Sequence, residues 1–221
     1  MTQSPGPTTP DLVDGRLITL LTTEHFTLQG ARGITTTEAL GRTTLYLGSI
    51  SGGLVALSLL GNATRLGLPF VVAALVLTPT LIFLGFVTFM RTLESSMEDT
   101  FYARGINRLR HAYLELAPGW RPYFIQSDRD DMPGVMTNLG LMPGAHFQMY
   151  LNLAGMVSII NSVLLGSFVG GALSVLKVPL VFNAPLAATV FLLAVSAHMK
   201  YQQRAWSRFD RRYPSLFPSV P

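Results

Sequence analysis

The residues with the clearest capacity for chemistry are three carboxylates in one short stretch. Asp128, Asp130 and Asp131 surround Arg129, between an aromatic segment and the most extended apolar run of the chain. Carboxylate oxygens are ligands that Mg²⁺ and Ca²⁺ prefer. The stretch lacks the Asp-x-Asp-x-Asp-Gly spacing of a calcium loop, however, and it contains a cation of its own. We therefore interpret the cluster as a solvated turn or a helix cap and predict no metal site.

Other reactive side chains are sparse. The chain has no cysteine, and its four histidines are scattered singly; His25, beside an apolar helical stripe, is expected to be packed or interfacial. No phosphate-binding or dinucleotide-binding glycine loop is present. Proton relays need ionisable groups inside the membrane, and intramembrane hydrolases need a nucleophile together with a base or a metal site. The predicted spans contain no acid, base or histidine in their interiors. We expect no enzyme and no cofactor; an enzyme that uses Asp130 or His146 is the weaker alternative.

The apolar run Met149–Leu176 organises the rest of the chain. It contains no ionisable residue, and its length of about 28 residues suffices for a tilted membrane-spanning helix. Only 13% of all residues are charged, against about 25% in soluble domains. Three further apolar runs resemble this one. The sequence thus predicts an all-α, four-helix integral membrane protein with cytoplasmic amphipathic helical extensions.

Local signals divide the chain into segments. Thr35 and Glu38 have the spacing of a capping box, which predicts that the helix of the first span begins there. The second span is predicted to continue as an amphipathic helix as far as Pro118-Gly119. Asn183 as a cap and Pro185 in the first turn predict a late start for the fourth span. The predicted segments are a disordered N-terminus (1–12), a cytoplasmic amphipathic helix leading into the first span (13–42), the hairpin of the first two spans (43–90), a cytoplasmic helical and loop segment (91–148), the hairpin of the last two spans (149–199) and a basic-aromatic cytoplasmic tail (200–221).

Small residues mark the expected helix contacts. Helices in lipid associate through close backbone approach at small residues, because lipid tails are as apolar as leucine. The predicted packing residues are Gly48, Gly52 and Gly53 in the first span and Gly166, Gly170 and Gly171 in the third. The shared GSxxGG pattern of these two sites is interpreted as recurrent packing, not as an internal duplication. Pro79 is expected to kink the second span.

Polar residues in the third apolar run are the candidates for a pore lining. Asn152, Ser158 and Asn161 are polar groups at membrane depth, where an unpaired amide costs several kcal/mol. Asn161 faces away from the small-residue face of its helix. We expect its amide to be satisfied against a partner helix, with a pore-facing or ligand-facing position as the alternative.

Basic residues predict the topology. Of the 16 basic residues, only Arg65 and Lys177 fall in the two short turns between spans. The positive-inside rule then places both termini and residues 91–148 in the cytoplasm. The tail combines aromatic residues with cations suited to anionic lipid headgroups, so membrane lipids are expected partners and nucleic acid is not. These cations are Lys200, Arg204, Arg208, Arg211 and Arg212.

Two motifs near the amino terminus carry a resemblance. The stretch Glu24-His25-Phe26-Thr27-Leu28-Gln29, followed by Thr37-Glu38-Ala39-x-Gly41-Arg42, resembles a group of uncharacterised actinobacterial multi-pass membrane proteins. The likeness covers about the first 60 residues well and the remainder in outline. It implies a bacterial inner-membrane location and no particular activity.

Three functions are compatible with this architecture. The first is an oligomeric pore or transport protein, in which a homo-oligomer of closely packed helices forms a polar path. The second is a non-catalytic scaffold or accessory protein that docks a cytoplasmic partner through residues 91–148. The third and weakest is a membrane enzyme that acts on lipids or small molecules.

Overall fold

The chain folds into helices only, within the part described by a computed structural model, residues 9–140 and 152–219 with side chains from residue 15 onward. The α-helices are α1 (Thr9–Thr64), α2 (Leu68–Leu116), α3 (Met132–Asn138), α4 (Leu153–Val175) and α5 (Leu180–Arg212), and a 3-10 helix covers Pro118–Tyr123. The predicted all-α class is confirmed. Helices α1, α2, α4 and α5 are long and apolar enough to cross a bilayer.

Along their apolar spans, these helices expose large hydrophobic side chains. Large side chains such as Leu45, Phe83 and Leu193 are exposed in the single chain. Soluble monomers rarely expose contiguous apolar patches beyond a few hundred Å², whereas lipid is a favourable environment for such side chains. Helices also satisfy their own backbone polar groups, as a span must. The chain is therefore a membrane-embedded protein.

The described residues form two compact units. One, the polar unit, comprises residues 9–35, 98–140 and 213–219. The other, the span unit, comprises residues 36–97 and 152–212. Helices α1 and α2 contribute residues to both units.

The core of the span unit is built where α1, α2 and α4 meet. Helix α1 contributes buried residues at helical spacing, among them Tyr46 and Ile50, and these pack with Phe89 of α2 and Val157 of α4. Gly85 of α2 lies against the same centre: a Cβ atom there would overlap the Asn161 amide oxygen and lie 2.5 Å from the Tyr46 hydroxyl. The absence of a side chain at Gly85 is what lets these two polar groups approach α2.

Helices α4 and α5 pack through small residues and one amide. Gly166 lies against Ala187 and Phe191, since an added Cβ would be 3.1 Å from an atom of each. The Asn183 side chain donates to the Gly170 carbonyl at 3.0 Å and to the Ser174 hydroxyl at 2.8 Å. A side-chain hydrogen bond thus fixes the register where the backbones are closest.

The predicted helix start at Thr35 is wrong. Helix α1 runs unbroken from Thr9 to Thr64, and the Thr35 hydroxyl donates to the Ala31 carbonyl one turn back, at 2.7 Å. Inside a helix the backbone N–H groups already have partners, so a Thr-x-x-Glu pattern has nothing to cap. Residues 9–12, predicted to be disordered, belong to α1, and residues 1–8 lie outside the described part.

The predicted late start of the fourth span is also wrong. Helix α5 begins at Leu180, and the Asn183 N–H already donates to the Pro179 carbonyl at 3.0 Å. Asn183 therefore serves as a contact to α4 and not as a cap, while Pro185 lies inside the helix. The earlier start adds apolar residues, which gives this helix a span of adequate length.

The ends of α2 and α5 decide two other predicted segment boundaries. Helix α2 continues through Pro79 and Gly105 to Leu116, as predicted for an amphipathic extension ending before Pro118. Helix α5 continues to Arg212, so no structural boundary occurs at residue 200. The predicted start of the third span at Met149, and with it His146, lies outside the described residues.

The close packing at Gly85 makes a first prediction. Gly85→Ala should lower the free energy of unfolding by at least about 1–3 kcal/mol, because the added methyl group forces Tyr46 and Asn161 apart. The measurement is thermal or denaturant unfolding of the full-length protein in detergent. Gly171→Ala, in the same unit, is the matched control, since a Cβ there meets no described atom within 4 Å; it should change stability by less than about 1 kcal/mol. Equal effects of the two substitutions would contradict the packing described.

Candidate functional site

The polar unit is built around charged and amide side chains that are buried on one face of α2. Arg104, Asn107 and Arg110 recur every three residues and are all buried. Side chains three and four apart share a helix face. Charged residues are rarely buried without partners, so this face identifies the polar centre of the unit.

Asp130 is the most completely enclosed carboxylate of the cluster, with 0% exposure. It accepts hydrogen bonds from the backbone N–H groups of Leu216 at 2.9 Å and Phe217 at 2.7 Å, and from Arg108 Nε at 2.5 Å. Its own N–H donates to the Phe217 carbonyl at 3.3 Å. The predicted solvated turn is therefore wrong at Asp130: this carboxylate holds residues 213–219, the carboxyl-terminal segment.

Asp131 combines a cap with a second attachment of the same segment. Its side chain accepts from the Gly134 N–H at 2.9 Å and so caps α3. It also accepts from the Ser219 N–H at 2.6 Å and the Ser219 hydroxyl at 3.0 Å. The predicted helix cap is thus present at Asp131, and the same side chain anchors the end of the segment.

Arginine side chains of α2 hold the other end of the segment. Arg104 donates to the Tyr213 carbonyl at 2.9 Å, and Arg108 donates to the Pro214 carbonyl at 2.9 Å. Carboxylates therefore bind the N–H groups of the segment, and guanidinium groups bind its carbonyl groups. The chemistry of each partner suits the backbone group that it meets.

Asp128 and His111 form a second contact with the carboxyl-terminal segment, through Phe217. His111 Nδ1 lies 2.8 Å from the Asp128 carboxylate, and its ring stacks on Phe217 with 3.9 Å between ring centroids. Burial opposes ionisation of Asp128. The hydrogen bond to His111, a backbone hydrogen bond and the charges of Arg121 and Arg129 together outweigh burial and lower the pKa of Asp128.

The charge of Asp130 is stabilised in the same way. Burial alone would raise the pKa of Asp130, but the N–H groups of Leu216 and Phe217 and the Arg108 guanidinium lower it below its ordinary value. A carboxylate that accepts several donors remains ionised because each hydrogen bond favours the charged form.

An amide network joins the stretch around the aspartates to α2 and α3. Asn107 donates to the Arg129 carbonyl at 2.6 Å and accepts from Asn138 at 2.8 Å. Asn138 also accepts from the Ser127 N–H at 2.5 Å. Backbone groups in the irregular stretch thereby find partners without regular secondary structure, as burial requires. The arrangement as a whole can hold a peptide segment rigidly.

The candidate pore residues occupy packed positions in the span unit. The Asn152 side chain accepts from the Gly155 N–H at 2.7 Å and caps α4. Ser158 has 0% exposure and donates to the Gly155 carbonyl at 2.7 Å. Asn161, at 4% exposure, lies 3.4 Å from the Tyr46 hydroxyl of α1. Each side chain is therefore bonded within this chain.

The predicted packing glycines divide into two groups. Gly53 lies against Leu77 and Leu81 of α2, and Gly166 and Gly170 lie against α5. A Cβ at Gly48, Gly52 or Gly171 would meet no described atom within 4 Å. The predicted lipid-facing cations are all exposed on α5: Lys200, Arg204, Arg208, Arg211 and Arg212.

Sequence reasoning missed the arginines of α2 and the carboxyl-terminal segment. No local pattern assigned a role to the arginines of this helix, Arg104, Arg108 and Arg110. For two of their hydrogen bonds, the partner lies more than 100 residues away in the chain. One signal was available. Pro214 and Pro218 lie shortly after the end of α5 at Arg212. Proline interrupts a helix and favours extended backbone, so these residues indicate an extended segment.

Comparisons with known proteins add no assignment. No protein-family model matches the chain, and no curated protein and no solved structure is significantly similar to it. Functional inference therefore depends on the geometry of the two units.

Loss of the Asp130 charge should release the carboxyl-terminal segment. Asp130→Asn removes the ion pair with Arg108 and places an amide donor among N–H donors; breaking a buried pair typically costs about 3–5 kcal/mol. Hydrogen exchange at Leu216 and Phe217 should accelerate by about 100-fold or more, measured by mass spectrometry of the full-length protein. Glu24→Gln, an exposed change in the same unit, should leave this exchange unchanged. Unaltered protection in Asp130→Asn would refute the attachment.

Acid should release the same segment. Because the pKa of folded Asp130 is lowered, its stabilising contribution is complete above the ordinary aspartate value of about 3.9 and is lost as pH falls through the folded value. Protection factors at Leu216 and Phe217, corrected for the intrinsic pH dependence of exchange, should be constant from about pH 7 to 5 and fall below about pH 4. A loss of protection between pH 7 and 5 would show that another group controls the attachment.

Proposed function

We propose that this protein is a non-catalytic membrane scaffold, whose polar unit docks a protein partner through an exposed apolar surface. The four apolar helices anchor the chain in the bilayer, and the polar unit carries the exposed surface. The observation that carries the proposal is a short stretch of exposed apolar side chains, Leu116, Trp120, Tyr123 and Ile125, called the 116–125 surface below. All four side chains are exposed, and Ile125 is 99% exposed.

The composition of this surface suits protein recognition. Aromatic residues and arginine are enriched where protein partners bind tightly, and Arg121 lies among these residues with its side chain 59% exposed. Trp120 and Tyr123 contact each other, with 5.3 Å between ring centroids. Large, stiff side chains contribute contact area with little loss of rotamer freedom on binding.

The base of the surface is held in place before any partner arrives. Pro118 and Pro122 restrict the backbone of the 3-10 helix. The next residues are attached to the amide network: the Gln126 side chain accepts from Arg110, and the Ser127 N–H donates to Asn138. A preorganised surface loses less conformational freedom on binding, and this favours affinity. The residues that bind the carboxyl-terminal segment and those of the 116–125 surface therefore belong to the same compact unit.

The oligomeric pore stays a prediction without a specific observation in its favour. Its proposed lining residues Asn152, Ser158 and Asn161 each have a hydrogen-bond partner within a single chain. A homo-oligomer is part of our proposal, because the open face of α1 at Gly48 and Gly52 is suited to close approach of another helix. No pore is required for that assembly.

The proposal includes a location and an orientation. The uneven distribution of basic residues supports cytoplasmic termini in a bacterial inner membrane. The exposed cations of α5, from Lys200 to Arg212, are suited to anionic lipid headgroups, each contributing about 1 kcal/mol near such a surface. The protein partner would then approach from the cytoplasm.

Partner capture tests the docking surface. Full-length tagged protein is expressed in its own cell type with a photocrosslinking amino acid in place of Tyr123, and the crosslinked species are identified after solubilisation. A discrete protein adduct is expected, and Trp120→Ala with Ile125→Ala should reduce it by at least about tenfold, because buried aromatic and aliphatic anchors dominate such interfaces. Phe26→Ala, an exposed aromatic change on α1 of the same unit, should leave the adduct intact.

Two results would refute docking. Adducts with lipid alone would show that the 116–125 surface inserts among headgroups. Equal losses in the Phe26→Ala protein and in the double variant would show that the interaction does not depend on this surface.

A further inference from the structure

The structure points to a small-anion site in the polar unit, separate from the docking surface: we infer that its cavity binds a small planar monoanion, either a short carboxylate or bicarbonate. The cavity has a volume of about 40 Å³. Its polar wall consists of Arg32, Asn107, Arg110, Gln126 and Asn138, and aliphatic side chains such as Ile106 form the remainder. The inference does not depend on the proposed partner.

The charge of Arg110 is the first reason. Arg110 is only 7% exposed, yet its hydrogen-bond acceptors among the described residues are all neutral: the Asn107 side chain at 2.9 Å, the Ser127 carbonyl at 3.0 Å and the Gln126 side chain. A buried charge is unfavourable unless an opposite charge compensates it. This guanidinium therefore lacks a hydrogen-bonded counterion from the part of the chain that the structure describes.

The nearby carboxylates, Asp99 and Asp128, form ion pairs or hydrogen bonds with residues other than Arg110. Asp99 forms a two-point ion pair with Arg32, at 2.8 and 3.0 Å, which neutralises the other cation of the cavity wall. Asp128 acts on Arg110 through space, but its oxygens lie against His111 at 2.8 Å, Arg121 at 3.5 Å and Arg129 at 3.8 Å. Among the described residues, no carboxylate therefore forms a hydrogen-bonded ion pair with Arg110.

Hydrogen-bond donors remain available at the same place. Arg110 Nε and the Gln126 amide nitrogen donate to no other described residue, while Gln126 is exposed at the cavity mouth. A guanidinium group presents donors in a fixed plane that matches the two oxygens of a carboxylate. A planar anion can therefore accept from Arg110 inside the cavity and from Gln126 at its mouth.

The cavity volume limits the ligand. A cavity needs about 10–15 Å³ by this measure to hold one water molecule, so 40 Å³ accommodates about three water-sized groups. Acetate and bicarbonate, with four non-hydrogen atoms each, match that size, and sugar acids or nucleotides do not. The apolar part of the wall suits the methyl group of acetate, whereas the amides suit the hydroxyl group of bicarbonate.

Anion-dependent stabilisation of the full-length protein in detergent tests the inference. Sodium acetate and sodium bicarbonate are titrated at constant ionic strength against sodium gluconate, whose anion is too large for the cavity, and the Tm is recorded. A saturable rise in Tm is expected with acetate or bicarbonate, and the one with the lower Kd identifies the source of the planar anion. Equal shifts with gluconate, a stronger response to chloride, or no saturable shift would each overturn the inference.

Variants locate the binding site. Arg110→Gln should weaken the anion response by at least about tenfold, since hydrogen bonds to charged groups are among the stronger ones. Gln126→Ala keeps the buried charge and removes one acceptor of Arg110 together with the amide donor at the cavity mouth, so it tests the site even if Arg110→Gln fails to fold; a Kd increase of about threefold or more is expected. Arg121→Gln, which removes an exposed cation from the same stretch, should leave the Kd unchanged. Wild-type affinity in Gln126→Ala, or equal weakening in Arg121→Gln, would place binding elsewhere and overturn the inference.

Discussion

The polar unit depends on one buried charge, the carboxylate of Asp130. With no exposure to water, this group needs donors from the protein, and it finds them in Arg108 and in two backbone N–H groups of the carboxyl-terminal segment. Burying an ionised carboxylate without such partners would cost several kcal/mol or more. The charge therefore requires the segment to be docked, and the docked segment in turn completes the unit around α2 and α3.

Among the described residues, the buried polar groups of the span unit are all uncharged. Its interior holds Asn161 beside the Tyr46 hydroxyl, and Gly85 leaves the space that both groups need. Helices α4 and α5 are joined by the Asn183 amide at the point where Gly170 permits close approach. In lipid, where no water can satisfy an unpaired group, a few such bonds at small-residue contacts fix which helices pair.

The two units suggest a division of labour between anchoring and recognition. Apolar helices keep the chain in the membrane, while the polar unit carries both an exposed apolar surface and a cavity lined by Arg110, whose hydrogen-bond acceptors among the described residues are neutral. Gln126 belongs to the cavity wall and directly follows Ile125 in the chain.

The sequence by itself determined the helical class, the four apolar helices and the continuation of α2 to Leu116, because each rests on composition and periodicity within one segment. It misplaced the helix starts at Thr35 and Asn183, since capping motifs look the same inside a helix as at its end. Tertiary structure alone decided the role of Asp130, whose backbone partners lie 86 and 87 residues away, and the burial of Arg110. Local patterns record which side chains are polar, but only folding brings together the partners that make burying them favourable.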